Sequence, residues 1–151
     1  MKLYDWRYFD FHDVDLLPEH KRNLHICPEK NPRHMAVAVD RNNYTLHYAE
    51  MCGTSSMLSV DQFRKVNGFS NRYWGWGGED DDLYKRVILA GYQVDRYNSS
   101  TGRYTMIKHE REPLSNPINP CRYKLLAVTH REWKVDGLNS LHYKLLNIRL
   151  T

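Results

Sequence analysis

The sequence predicts an α/β or α+β domain in which strands and helices are interleaved, and three stretches carry that prediction. Residues 4–15, YDWRYFDFHDVD, alternate aromatic and polar positions, the period of a strand, and end in two carboxylates. Residues 59–66, SVDQFRKV, open with Ser59 and Gln62 at capping-box spacing and read as a helix stopped at Asn67–Gly68. Residues 81–92, DDLYKRVILAGY, form an amphipathic run that predicts a helix at about 80–90, ended by Gly91.

The remaining elements fall between these. LLPEHKRNLHICPEKNPRH is a polar, Pro-bearing loop, and HMAVAVD (34–40) reads as one short buried strand. Residues 44–52 are expected to be extended as far as a turn at Gly53–Thr54. Tyr92–Tyr97 and Arg103–His109 read as two more strands. EREPLSNPINP (110–120) holds three prolines and almost no hydrophobic pattern, the composition of a long loop of the kind often used as a lid. Cys121–Trp133 is a helical run, and Asp136–Gly137 turns the chain into a last strand, HYKLLNIRL.

At 151 residues the chain is expected to be one domain, or a fragment of a larger one, spanning 1–151. A net charge of +4 with scattered basic residues gives no nucleic-acid stripe. Cys27, Cys52 and Cys121 have no C-x-x-C spacing, which removes a zinc ribbon, and an odd count permits at most one internal bridge. Asn43-Tyr44-Thr45 and Asn98-Ser99-Ser100 are glycosylation sequons, a mild pointer to the secretory pathway. No apolar leader opens the chain and no run of eighteen apolar residues occurs in it.

The densest stretch is NRYWGWGGEDDD, residues 71–82. Gly75, Gly77 and Gly78 let the backbone approach a ligand, Trp74 and Trp76 offer flat faces for a sugar ring, and Glu79–Asp82 suit a helix N-terminus. Upstream, Asp13 and Asp15 are two apart and would share a face at a strand end, where paired carboxylates call for a cation. Downstream, Met106 and His109 by themselves read as a packing residue and a surface residue. Together the three stretches supply parts for a metal-bound diphosphate, a carboxylate base and an aromatic platform.

FHDVDLLPE, RHMAVAVD, NGFSNRYWGWGGEDDD, GRYTMIKH and DGLNSLHYKLL occur in this order, and nearly the whole chain, about Tyr4 to Leu146, resembles the catalytic part of the β-1,4-galactosyltransferase family. The resemblance implies a partial GT-A fold, a mixed sheet flanked by helices. It also implies inverting, Mn2+-dependent transfer of galactose from UDP-galactose to the 4-hydroxyl of a terminal N-acetylglucosamine or glucose. It implies residence in the Golgi lumen, with membrane attachment only through an N-terminal anchor that the chain lacks. By motif, Asp15, Met106 and His109 would hold the metal, and Asp80 would be the general base. Asp13, Val14, Met51, Gly53, Trp76 and Glu79 would face the donor, with Trp76 on a mobile small loop. Tyr48, Gly78, Asp80, Asp81, Arg122, Tyr123 and Leu126 would face the acceptor, and residues 107–127 would close as a lid.

Some features depart from the family. The chain starts just before the D-x-D strand, so the upstream nucleotide-binding half is expected to be missing. Tyr8 stands where many members carry a cysteine paired with the position of Cys27. Met51 stands where galactose-preferring members have Tyr, and Thr54 replaces a glycine near the donor. The alternatives are therefore transfer of N-acetylgalactosamine from UDP-GalNAc, or an inactive remnant that binds carbohydrate or a partner.

Overall fold

A computed structural model describes residues 6–109 and 116–144. In chain order these residues form β1 (Tyr8–His12), β2 (Leu16–Pro18), β3 (Arg33–His34), β4 (Ala38–Val39), β5 (Ser55–Ser59), α1 (Val60–Lys65), α2 (Glu79–Leu89), β6 (Asp95–Arg96), β7 (Arg103–Met106) and α3 (Arg122–Glu132). Short 3-10 turns lie at Asp40–Asn42 and Leu138–Ser140. One sheet has the order β1-β5-β3-β6 and the other β2-β7-β4, and each contains both parallel and antiparallel pairs. The architecture is the mixed α/β arrangement expected, with mixed sheets flanked by helices.

The core follows from strand alternation. On β5, Met57 faces one cluster with Leu16, Met35, Ala36, Val39 and Tyr104, while Leu58 faces a second with Val66, Leu83, Val87 and Ala90. Phe11, Phe63, Phe69 and Trp133 pack around the second cluster, which seats α1 and α2. Ser59 caps α1 as expected: its hydroxyl accepts from Gln62 N and the Gln62 side chain accepts from Ser59 N.

The extended stretches are shorter than the sequence pattern implies. Residues 4–15 do not run as one strand to the carboxylates. β1 ends at His12, Leu16 N donates to Asp13 O (3.2 Å), and this turn passes the chain into the second sheet as β2. HMAVAVD is likewise two short strands in different sheets, because Val37 N bonds back to Met35 O (3.1 Å) and Ala38 N then joins Gly102 O (2.9 Å). Residues 46–52 form no strand. Asn43 and Tyr44 turn through positive φ, and the Ala49 and Met51 carbonyls are taken by Arg96. Within Tyr92–Tyr97 only Asp95–Arg96 is strand, and β7 stops at Met106. His142–Lys144 are not strand, and the rest of HYKLLNIRL, like residues 110–115 of the long loop, lies outside the described residues.

Candidate active site

The turn between β1 and β2 presents Asp13, Val14 and Asp15. Val14 is 98 % exposed, whereas Asp15 is half-buried. Antiparallel pairing of β2 with β7 sets Leu16 opposite Met106, and Ile107 N donates to Asp15 O (2.7 Å). This register carries His109 alongside the turn, where its Nε2 lies 3.0 Å from Asp15 Oδ2. Asp40, at the end of β4, accepts from Met106 N (2.9 Å), and Arg41 Nη1 lies 3.7 Å from Met106 Sδ. The Asp13 carboxyl is held above its usual range by partial removal from water, then by Asp15, with a smaller push from Glu79.

The effect of Glu79 on Asp13 shows that the N-terminus of α2 faces the same space. Gly78 is the N-cap of α2 and provides no side-chain cap, and Glu79–Asp82 fill the first turn. Burial first, then Asp81 and Glu79, push the Asp80 carboxyl up to about 6. Gly53 stands directly against it, since a Cβ on that residue would collide with Asp80 Oδ2. Its neighbour Thr54 offers its carbonyl to Asp13 N (2.8 Å), so residues 53–54 join the carboxylate turn to α2. Tyr48 donates its hydroxyl to Asp81 Oδ1 (2.8 Å), and burial together with these carboxylates holds the phenol well above its usual range, hence protonated.

The third wall is the Trp76 loop with α3. Trp76 exchanges backbone hydrogen bonds with residues 117 and 119: its N–H donates to Pro117 O (2.8 Å), and Asn119 N donates to its carbonyl (3.0 Å). Gly75, at φ +82°, permits this pairing, because a Cβ there would strike the Pro117 carbonyl. Arg122 packs on Gly77 and Gly78, and its guanidinium lies 4.5 Å from the centre of the Tyr123 ring. Trp76 and Tyr123 are 51 % and 70 % exposed. Leu126 is half-buried and borders a groove of about 350 Å³ between α2 and α3 that also takes in Glu50, Tyr84 and Ile88. Met51 is half-buried beside Cys52.

Among the sequence-derived site residues the structure joins Asp15 to His109, Gly53 to Asp80, Tyr48 to Asp81 and Arg122 to Gly78, while Val14 stands exposed on its turn and Leu126 borders the separate groove between α2 and α3. Asp40, Arg96 and His34 were not anticipated. Their signal was faint, since an Asp after Ala-Val-Ala-Val and an Arg in a two-residue strand acquire partners only in three dimensions. The residues expected to hold a divalent ion offer one carboxylate, one imidazole and one thioether, of which the Asp15 carboxylate and the His109 imidazole meet at 3.0 Å. Among the described residues no group of three His, Cys, Asp or Glu side chains could hold a metal. Three protein donors are fewer than a hard divalent ion takes, so an ion held there would need further donors from outside the protein.

A family model described as the N-terminal domain of galactosyltransferase matches residues 33–110. β-1,4-Galactosyltransferase 3 of Bos taurus is 49% identical over 146 residues, covering 97% of this chain and 37% of the relative. β-1,4-Galactosyltransferase 4 of Cricetulus griseus is 48% identical over 148 residues, covering 98% of the chain and 42% of the relative. The chain thus spans less than half the length of these curated relatives. The catalytic domain of Drosophila β-1,4-galactosyltransferase 7 with xylobiose superposes with a TM-score of 0.76 at 29% identity, over 95% of this chain and 60% of that one. The D211N mutant of that protein, in complex with manganese, UDP-Gal and xylobiose, superposes with a TM-score of 0.74. The match over residues 33–110, the similarity along nearly the whole chain and the shared fold place this chain in the β-1,4-galactosyltransferase family.

Proposed function

We propose that the chain is the catalytic portion of an inverting β-1,4-galactosyltransferase, moving galactose from UDP-galactose to the 4-hydroxyl of a terminal N-acetylglucosamine or glucose in the Golgi lumen. The observation that carries this reading is the placement of Asp80. It is a carboxylate pushed up to about 6, walled by Gly53, on a different element from the Asp15–His109 pair. An inverting displacement needs that separation, with a base on the acceptor side and charge neutralisation on the leaving-group side. Asp80 takes the proton of the acceptor hydroxyl as the new glycosidic bond forms. Tyr48 and Asp81, already hydrogen-bonded, and the Arg122–Tyr123–Leu126 face orient the acceptor. Trp76 covers the donor sugar, Glu79 holds its hydroxyls, and Asp13 would orient the nucleotide and the metal. Asp15, Met106 and His109 would hold Mn2+, which when bound neutralises the charge of the departing diphosphate. The fly relative was solved with manganese and UDP-Gal, which supports the choice of ion and donor.

Calorimetry of UDP binding with and without Mn2+, followed by transfer from UDP-galactose to N-acetylglucosamine, tests the reading. Mn2+-dependent binding with measurable transfer is expected. Binding without transfer would instead favour an inactive carbohydrate-binding remnant. The same assay with UDP-N-acetylgalactosamine reports on Met51, whose unbranched side chain can make room for an N-acetyl group. Comparable use of both donors is expected, and Met51→Tyr should reject the N-acetylated one tenfold or more, the effect of about 1–3 kcal/mol of crowding. Equal rejection by wild type and Met51→Tyr would remove Met51 from the donor pocket.

A further inference from the structure

Residues 48–54 wall off Asp80 and Asp81 without forming a strand, and their path is strained. Thr54 stands at φ +66°, in the left-handed region that β-branched residues avoid. Such strain persists only where the surroundings over-determine the conformation. Here the surroundings are specific. Arg96, on β6, donates from Nη2 to the Ala49 and Met51 carbonyls, each at 2.8 Å. Its Nε donates to His34 Nδ1 at 3.4 Å, a contact set up by the parallel pairing of His34 with Arg96 between β3 and β6. His34 is fully buried, and burial first, then Arg96, pushes it down to about 4, so the neutral ring keeps Nδ1 as an acceptor. The Gly53 backbone lies close enough to the same ring to favour its protonation. Arg96 forms no ion pair among the described residues, so its charge is directed at the two carbonyls.

We propose that Arg96, seated on the ring of His34, is a positioning residue that holds residues 49–54 in their strained path and thereby keeps Gly53 on Asp80 and Tyr48 on Asp81. Two carbonyls bound by one guanidinium nitrogen fix the segment at alternate residues, and Met51 N, bonded to Tyr48 O (3.2 Å), passes the constraint to Tyr48. The effect on rate rests on Asp80 being the base, whereas the positioning itself does not.

The test follows the Asp80 carboxyl by 13C NMR across pH in the wild type, Arg96→Gln, and Arg96→Gln with Thr54→Gly. The groups that face Asp80 are Asp81 and Glu79 on its own helix and Tyr48 and Cys52 on the segment, and every variant keeps them. In Arg96→Gln the segment relaxes and Asp80 regains water, so its titration should fall from about 6 by about one pH unit or more. Thr54→Gly removes the strain that drives the relaxation and should restore most of that fall. Where the protein transfers sugar, kcat should drop by roughly ten- to a hundredfold in Arg96→Gln and recover severalfold in the double variant. A folded Arg96→Gln protein whose Asp80 titrates as in the wild type would overturn the proposal, as would a double variant with no recovery. Should Arg96→Gln fail to fold, Arg96→Lys keeps the charge but lacks the guanidinium fork that spans His34 and the two carbonyls, and it is held to the same two criteria. A wild type that transfers nothing counts against the galactosyltransferase reading alone, because the titration still decides the role of Arg96.

Discussion

Asp80, the proposed base, couples that role to stability. Its folded pKa of about 6 lies above the ordinary carboxylate value of 3.8. Between those values the folded protein holds a proton that the unfolded chain has released. The group's contribution to stability therefore falls as pH rises through this window and stays lower above it. Asp80→Asn, which cannot ionise, should be more stable than the wild type at pH 7–8 by about 1–3 kcal/mol, read by urea unfolding. It should also lose transfer by about 10²–10⁴-fold while keeping Mn2+-dependent UDP binding. Wild-type turnover in that variant would exclude Asp80 as the base. In the wild type, kcat/KM should decline as pH drops through about 6, where the base becomes protonated. His109 meets Asp15 at 3.0 Å on the other side of the site. His109→Ala should raise the Mn2+ concentration needed for half-maximal UDP binding roughly 10- to 100-fold, and superimposable metal titrations would make His109 a surface residue only.

At the scale of elements, α2 is held by a buried polar network as well as by its apolar face. Arg86, 1 % exposed, pairs with Asp82 one turn earlier (2.6 Å) and with Asp136 (3.3 Å), and donates to the Asp136 carbonyl (2.6 Å). Thr129 on α3 donates to the other Asp82 oxygen (2.5 Å), which ties α3 to the first turn of α2, two residues from Asp80. Burying charges offsets much of their attraction, so the network's value is in fixing one arrangement of the two helices. Removing one member strands the rest: Arg86→Met should cost about 3–5 kcal/mol in urea unfolding. A loss below about 1 kcal/mol would mean that the apolar contacts of Leu83 and Val87 alone hold α2 in place.

Across the whole molecule, the site exists only because two sheets and two helices converge. Gly53 is the hinge of that convergence. No left-handed φ is required of it, so its need for glycine is spatial, set by the Asp80 carboxylate lying where a Cβ would be. Gly53→Ala should leave the fold intact, with Tm changed by only a few degrees, but displace Asp80 and cut kcat by about a hundredfold, the scale expected of a misplacement near 1 Å. Unchanged kcat in a folded Gly53→Ala protein would show that Asp80 can move aside at no cost to catalysis.

What the sequence determined by itself was local. The Ser59–Gln62 cap, the α2 register with its acidic first turn, and α3 were legible because capping chemistry and helical periodicity act within a few residues. The site motifs were legible because residue types with few structural reasons to cluster are clustered at 13–15 and 71–82. The sequence misjudged strand extent, since alternation cannot say whether a backbone carbonyl meets a neighbouring strand or a side chain. The Ala49 and Met51 carbonyls went to Arg96, and the 34–40 run broke where it left one sheet for the other. Only the tertiary structure decided that Gly53 stands on Asp80, that Thr54 is strained, and that Arg96 rests on His34. The partners in each pair are 27 or more residues apart or, for Thr54, depend on such contacts, and chain proximity carries no trace of them.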